Sequence, residues 1–288
     1  MFTDMFGNKR YKINLHTHTT LSDGKVSPKE SARIYRQSGY DAIALTDHWV
    51  YAEDNVIEDL TILAGCEYNF GKDTMEDYIY HILALLPDSD PGVQRSDSPQ
   101  ECIDKIIKAG GIPVLAHPAW SLNDPAKVVQ LNGIEFTEIH NTVSGKHASN
   151  RPYSGAFVDL VACRGVYLGL LATDDTHFYD GDETVASIMI KADSLSPEAL
   201  RRALRHGDYY STTGPEVHTM IHDGQIEIFC SPCVTVDVFT NAAFAKAHHN
   251  EGENLTHVIV PLKDTDRFVR VEVTDSQGRT AYSNITKL

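Results

Sequence analysis

His16 and His18 flank Thr17 at the end of a short apolar run. In a β-strand, residues i and i+2 point to one face, so both imidazoles can reach one metal ion from a rigid base. The pattern recurs along the chain. Asp47 and His48 close a second apolar run, Glu67 follows a third and His81 opens a fourth. His117 closes a fifth, His140 a sixth, and Asp174, Asp175 and His177 a seventh, with Asp175 and His177 again two apart. Imidazole nitrogens and carboxylate oxygens are the donors of Zn, Mn and Fe sites. A lone polar residue at a strand end is ordinary. A series of them on successive strands is hard to explain by core packing and points to a shared metal centre at one rim. His81 is the exception, because it stands where its strand begins.

The elements that must position these residues follow from the hydrophobic pattern. Strands are expected at Tyr11–Leu15, Asp41–Thr46, Thr61–Cys66, His81–Leu86, Ile112–Ala116, Ile134–Ile139 and Val166–Ala172, all nearly continuous in apolar residues, as strands buried on both faces are. Ser27-Pro28-Lys29-Glu30 and Ser98-Pro99-Gln100-Glu101 read as capping boxes with proline at the first helical position, and Ser196-Pro197-Glu198 starts a third helix that runs to His206-Gly207. Strands alternating with helices imply an α/β protein with parallel packing, and about seven such units fit a barrel whose site lies at the C-terminal strand ends. After Gly214 the helical signals fade. Val234–Thr240, His257–Leu262 and Phe268–Thr274 read as strands, and Asp275–Gly278 as a turn. The expected organisation is a β/α barrel over 1–214 and a small antiparallel β-rich domain over 215–288.

The chain has 288 residues and a formal net charge of -15, which argues against long nucleic acid as a partner. Bound divalent cations would offset that charge locally, where an anionic substrate would dock. No apolar run is long enough to span a membrane, and Met1–Lys12 lacks the apolar stretch of a secretory signal, so a cytoplasmic protein is expected. The five cysteines are spread out and do not form a disulfide framework. Cys230 and Cys233 have C-x-x-C spacing but read as small residues in strands.

With these residues in view, the chain resembles the polymerase-and-histidinol-phosphatase (PHP) family. The matching stretches are Leu15–Gly24, Ala44–His48, Gly65–Glu67, His81–Leu85, Leu115–Pro118 and Ala172–His177, in the family's order. The resemblance implies a distorted (β/α)7 barrel carrying two or three divalent metals, with Zn, Mn or Fe expected. It implies that His16, His18, Glu67 and Asp175 hold the first metal, and that Glu67 bridges to a second held also by His81 and His117. A third would use Asp23, His48 and His177. Several family members have His in place of Asp23, and the harder carboxylate would favour Mn or Mg there.

The resemblance further implies hydrolysis of a phosphate ester by a metal-bridging hydroxide, with Glu67, Asp175 and His177 at the reacting centre. The substrate expected is a small phosphorylated metabolite or nucleotide. A phosphodiesterase acting on nucleic acid ends and a non-catalytic metal-binding scaffold are the alternatives. The basic residues Lys146, His147 and Arg151, in the loop after the sixth strand, are candidate phosphate contacts. Arg151 is the best suited of them to bidentate binding. Asp47, Asp174 and His140 have no assigned ligand position.

Overall fold

The computed structural model describes residues 1–71, 79–147 and 149–288. Its elements begin with β1 (Phe2–Thr3), β2 (Lys9–Asn14), α1 (Pro28–Gln37), β3 (Ala42–Ala44), β4 (Asn55–Ile57), β5 (Leu60–Leu63), β6 (Gly65–Phe70) and β7 (Tyr80–Leu85). They continue with α2 (Pro99–Lys108), β8 (Ile112–Leu115), α3 (Pro125–Val128), β9 (Phe136–Asn141), α4 (Gly155–Ala162), β10 (Gly169–Thr173), β11 (Ser187–Ile190), α5 (Pro197–His206) and β12 (Tyr209–Thr212). The rest is β: β13 (Val217–His222), β14 (Gln225–Phe239), β15 (His249–Pro261), β16 (Phe268–Thr274), β17 (Thr280–Tyr282) and β18 (Thr286–Lys287).

The helix starts follow their local chemistry. Ser27, Ser98 and Ser196 each accept a backbone N–H from the third residue of their helix, with proline next to the cap. Only Ser98 closes a reciprocal box, through Ser98 N donating to Glu101 Oε2 at 2.8 Å. Glu30 turns instead to Arg33 Nε at 3.0 Å, which leaves Ser27 a one-sided cap.

The α/β character expected from the sequence holds, but a (β/α)7 barrel is not shown: among the described residues the strands divide between two sheets. One sheet has the order β10-β9-β8-β7-β6, and the other runs β13-β14-β16-β17-β12-β11-β2-β3-β5-β4. The break falls inside the expected strand Thr61–Cys66. Its first half, β5, pairs parallel with β3, whereas its second half, β6, pairs antiparallel with β7. Gly65 allows the step, since a Cβ there would meet the Leu45 carbonyl oxygen at 2.8 Å. β7 runs antiparallel to both β6 and β8. Its first residues lie at the rim where the parallel strands end, which explains why His81 opens its strand.

The inner faces of the two sheets share one apolar core, with Ile13, Leu15, Ala44 and Leu63 from one side and Leu83, Leu85, Val114 and Leu171 from the other. At the rim the sheets are linked by isolated bridges, Thr17 to Thr176 and His48 to Glu67. The strands after residue 215 have an apolar cluster of their own, including Val236, Val271 and Val273, and they join the larger sheet through β17 beside β12. Cys230 and Cys233 both lie in β14, buried, with their sulfurs 3.5 Å apart. No helix among the described residues is long and apolar enough to cross a membrane.

Candidate metal centre

Glu67 is the hub of the rim. Its side chain is 1% exposed, and five imidazoles surround it. Oε2 lies 3.1 Å from His16 Nε2, 2.9 Å from His18 Nε2 and 3.3 Å from His48 Nδ1. Oε1 lies 2.8 Å from His81 Nδ1 and 3.3 Å from His117 Nε2. Asp175 Oδ1 completes the inner group at 3.0 Å from His16 Nε2 and 3.1 Å from His18 Nε2.

The donors fit a cation. The Nε2 atoms of His16 and His18 approach to 3.1 Å. Asp175 Oδ1 and His48 Nδ1 are buried without a hydrogen-bond partner. Buried lone pairs aimed at one another are costly unless a proton or a cation lies between them. Titration behaviour states the same demand. Burial disfavours the charged forms of His16 and His18, yet the carboxylates of Asp175, Glu67 and Glu138 hold His16 well above the usual histidine range, and Asp175 and Glu67 hold His18 at about 9. Burial likewise opposes charge on Glu67 and Asp175, but the surrounding histidines keep both well below the usual carboxylate range.

Side chains behind the cluster select which nitrogen faces it. Glu138 Oε1 takes the Nδ1–H of His16 at 2.7 Å, which leaves Nε2 as a donor toward the cluster. Its other oxygen accepts from His117 N at 2.8 Å and Asn141 Nδ2 at 2.7 Å, and Thr173 Oγ1 donates to Oε1 at 2.6 Å. One carboxylate thus ties together the ends of β2, β8, β9 and β10. His177 Nδ1 donates to the Asp175 carbonyl at 2.7 Å, and Asp182 Oδ2 accepts from His177 N and Phe178 N, both at 2.8 Å. His117 and Asp175 have φ of 27° and 53°, backbone conformations that non-glycine residues keep only when their surroundings enforce them.

All nine residues expected to bind metal are brought together at this rim, but their grouping is looser than three separate sets. His16, His18, Glu67 and Asp175 form one compact group. His18 also belongs to a second with Asp23, His48 and His177, and His48 to a third with Glu67 and His81. His117 stands slightly apart at 3.3 Å from Glu67 Oε1. Asp23 is 55% exposed and lies 3.5 Å from His177 Nε2 and 3.9 Å from His48 Nε2. Gly24 seats that turn, because a Cβ there would meet the His18 carbonyl at 2.5 Å.

Asp47 holds the same turn, accepting from Thr19 N at 2.8 Å and from Ser22 N at 3.1 Å. Asp174 faces away and accepts from Asn14, Tyr35, Thr142 and the Ala186 amide; burial pushes its carboxyl up to about 7. His140 also faces away, toward the Tyr282 ring at 6.4 Å.

The cluster opens into a cavity of about 390 Å³. Lys146 and His147 line it, with Ser144, Ser149, Trp120 and Phe178; exposed Arg151 is not among the lining residues. Glu138, Asn141, Trp120 and Asp182 were not singled out from the sequence. Glu138 had a readable signal, a charged residue inside the apolar run that became β9. Trp120 had another, its place three residues after His117.

No family model matches the chain. Two uncharacterized proteins of Methanocaldococcus jannaschii are similar to it. One is 26% identical over 145 residues, covering 45% of this chain and 83% of that protein. The other is 29% identical over 97 residues, covering 34% of this chain and 39% of that protein. Among solved structures, the chain is similar to a two-domain protein from Bacteroides vulgatus containing a predicted PHP-like metal-dependent phosphoesterase. That alignment covers 100% of this chain and 97% of the other, with a TM-score of 0.55 and 14% identity. The chain therefore shares its fold with this PHP-like two-domain protein.

Proposed function

We propose that the chain is a PHP-type metal-dependent phosphoesterase that hydrolyses a phosphomonoester of a small metabolite or nucleotide. The observation that carries this reading is the convergence of histidine and carboxylate donors on Glu67, with Asp175 Oδ1 and His48 Nδ1 buried and unpaired beside them. The PHP-like motifs, in order along the chain, support it. His16, His18, Glu67 and Asp175 would hold one ion, and Glu67 with His81 and His117 a second. Asp23, His48 and His177 would hold a third, weaker one.

Divalent cations bound there supply Lewis acidity and lower the pKa of water. The chain does the rest. Glu138 keeps the His16 ring oriented. Lys146 and His147 set cationic and hydrogen-bonding groups on the cavity wall, where phosphoryl oxygens would dock. His177 has Nδ1 engaged with a carbonyl, so Nε2 remains to bind a cation or pass a proton to the leaving oxygen.

A panel of p-nitrophenyl phosphate, bis-p-nitrophenyl phosphate and nucleotides, assayed with Mn²⁺, Zn²⁺ or Fe²⁺, tests the proposal. Preference for the monoester supports it. Preference for the diester would replace it with a phosphodiesterase, and full metal loading without turnover on any substrate would replace it with a binding scaffold.

A further inference from the structure

The loop between β9 and α4 supplies Val143, Ser144, Lys146, His147 and Ser149 to the cavity wall. Its first turn is tied to the body of the protein. Thr142 N and Val143 N donate to the carbonyls of Thr173 and Asp174, both at 3.0 Å, and Ser144 Oγ donates to Asn141 Oδ1 at 2.7 Å. Its far end has main-chain ties from Asn141 N to the Pro152 carbonyl and from Ser154 N to the Ile139 carbonyl, both at 2.9 Å. Side-chain ties there are Ser154 Oγ, which accepts from Ala119 N at 3.3 Å, and Tyr153 Oη, which reaches the C-terminal strands and donates to Glu272 Oε1 at 2.6 Å.

Glu272 is itself held. Arg270, 1% exposed, donates to it through Nη1. The same guanidinium grips Asp159 of α4 through Nε at 2.7 Å and Nη2 at 2.9 Å, and lies 3.9 Å from the centre of the Phe239 ring. A charge buried this deeply stays folded in because each partner is paired. The residue after the loop's last turn is kept small: a Cβ at Gly155 would meet Tyr153 Oη at 2.0 Å. The Tyr153 ring can therefore lie across the start of α4 and reach β16.

We infer that Tyr153 is a positioning residue, through which Arg270 and Glu272 of the C-terminal β strands hold residues 142–147 and 149–154 in the shape that presents Lys146 and His147 to an anionic substrate. The inference rests on the reading of the cavity as a phosphoester site. Releasing the clasp leaves the metal ligands in place but makes substrate binding bear the cost of ordering the loop, so the effect falls on KM rather than kcat.

The test uses the full metal-loaded chain and p-nitrophenyl phosphate. Tyr153→Phe removes only the hydroxyl. It is expected to raise KM roughly fivefold to twentyfold, the low end for one lost hydrogen bond to a charged group because Tyr153 is partly exposed, with kcat within about twofold and metal content unchanged. Glu272→Gln keeps an acceptor oxygen and should retain most of the wild-type KM, whereas Glu272→Leu should match or exceed Tyr153→Phe. Hydrogen exchange should quicken at residues 144–152 in Tyr153→Phe and stay unchanged in β9 and α4. A KM within twofold of wild type in Tyr153→Phe, or unchanged exchange in the loop, overturns the inference. If the wild type hydrolyses no phosphate ester, the functional proposal fails, and the exchange measurement alone decides whether the clasp orders the loop.

Discussion

The Nδ1–H of His16 donates to Glu138 Oε1 across 2.7 Å, deep in the protein, with both side chains 0% exposed. A carboxylate accepts and does not donate, so this bond keeps a proton on Nδ1 and leaves Nε2, which meets Glu67 and Asp175, as the nitrogen that would ligate a cation. Glu138→Gln offers an amide that can leave the ring free to take the other tautomer. The variant is expected to fold and to bind Zn²⁺ or Mn²⁺ about 10- to 100-fold more weakly, read by competition with a chromogenic chelator. Wild-type affinity would show that the ring is held by packing alone.

Glu67→Gln and Asp175→Asn keep side-chain shape and remove charge from the centre of the cluster. Each should reduce bound metal and lower kcat by several orders of magnitude, while circular dichroism stays native. Near-wild-type turnover in either variant would remove that residue from the reacting centre.

Protein purified without chelator should carry two to three equivalents of Zn, Mn or Fe by elemental analysis. Asp23, at 55% exposure and 3.5 Å from His177 Nε2, belongs to the most open group. Asp23→Ala is expected to lose about one equivalent and keep the rest. Loss of all metal would mean that the three groups load as one cooperative unit.

Lys146 lines the cavity and Arg151 does not, so the two should differ in kinetics. Lys146→Ala should lower kcat/KM roughly tenfold to a hundredfold without changing metal content, at about 1.4 kcal/mol per tenfold. Arg151→Ala is expected to stay within about threefold. The reverse order would place Arg151 at the phosphate and Lys146 in solvent.

Burial pushes His140 down to about 4, so it is neutral in the native state. An unfolded histidine titrates near 6.5, so below that pH unfolding takes up a proton that the folded protein refuses. Its contribution to stability is whole above about pH 6.5 and is lost as the pH falls toward 4. Thermal unfolding of metal-free protein should show a smaller drop between pH 6.5 and 4.5 in His140→Phe than in wild type. Equal slopes would mean that His140 accepts its proton without unfolding.

The residues that meet at the rim were legible because metal chemistry needs particular residue types and β structure repeats every two residues. His16 and His18, or Asp175 and His177, announce a shared face without knowledge of the rest of the chain. Helix starts were legible for the same local reason: Ser98 and Glu101 exchange hydrogen bonds within one turn, with Pro99 between them at the first helical position. The tertiary structure alone decided the direction of β7, the split of Thr61–Cys66 between two sheets and the burial of Glu138 against four strand ends. It also put Tyr153 against Glu272, 119 residues away in sequence. These are pairings between distant segments, and an apolar run reads alike whether its neighbour runs parallel or antiparallel. Which donors meet, and which loop residues line the cavity beside them, was settled only when the two sheets packed on one shared core.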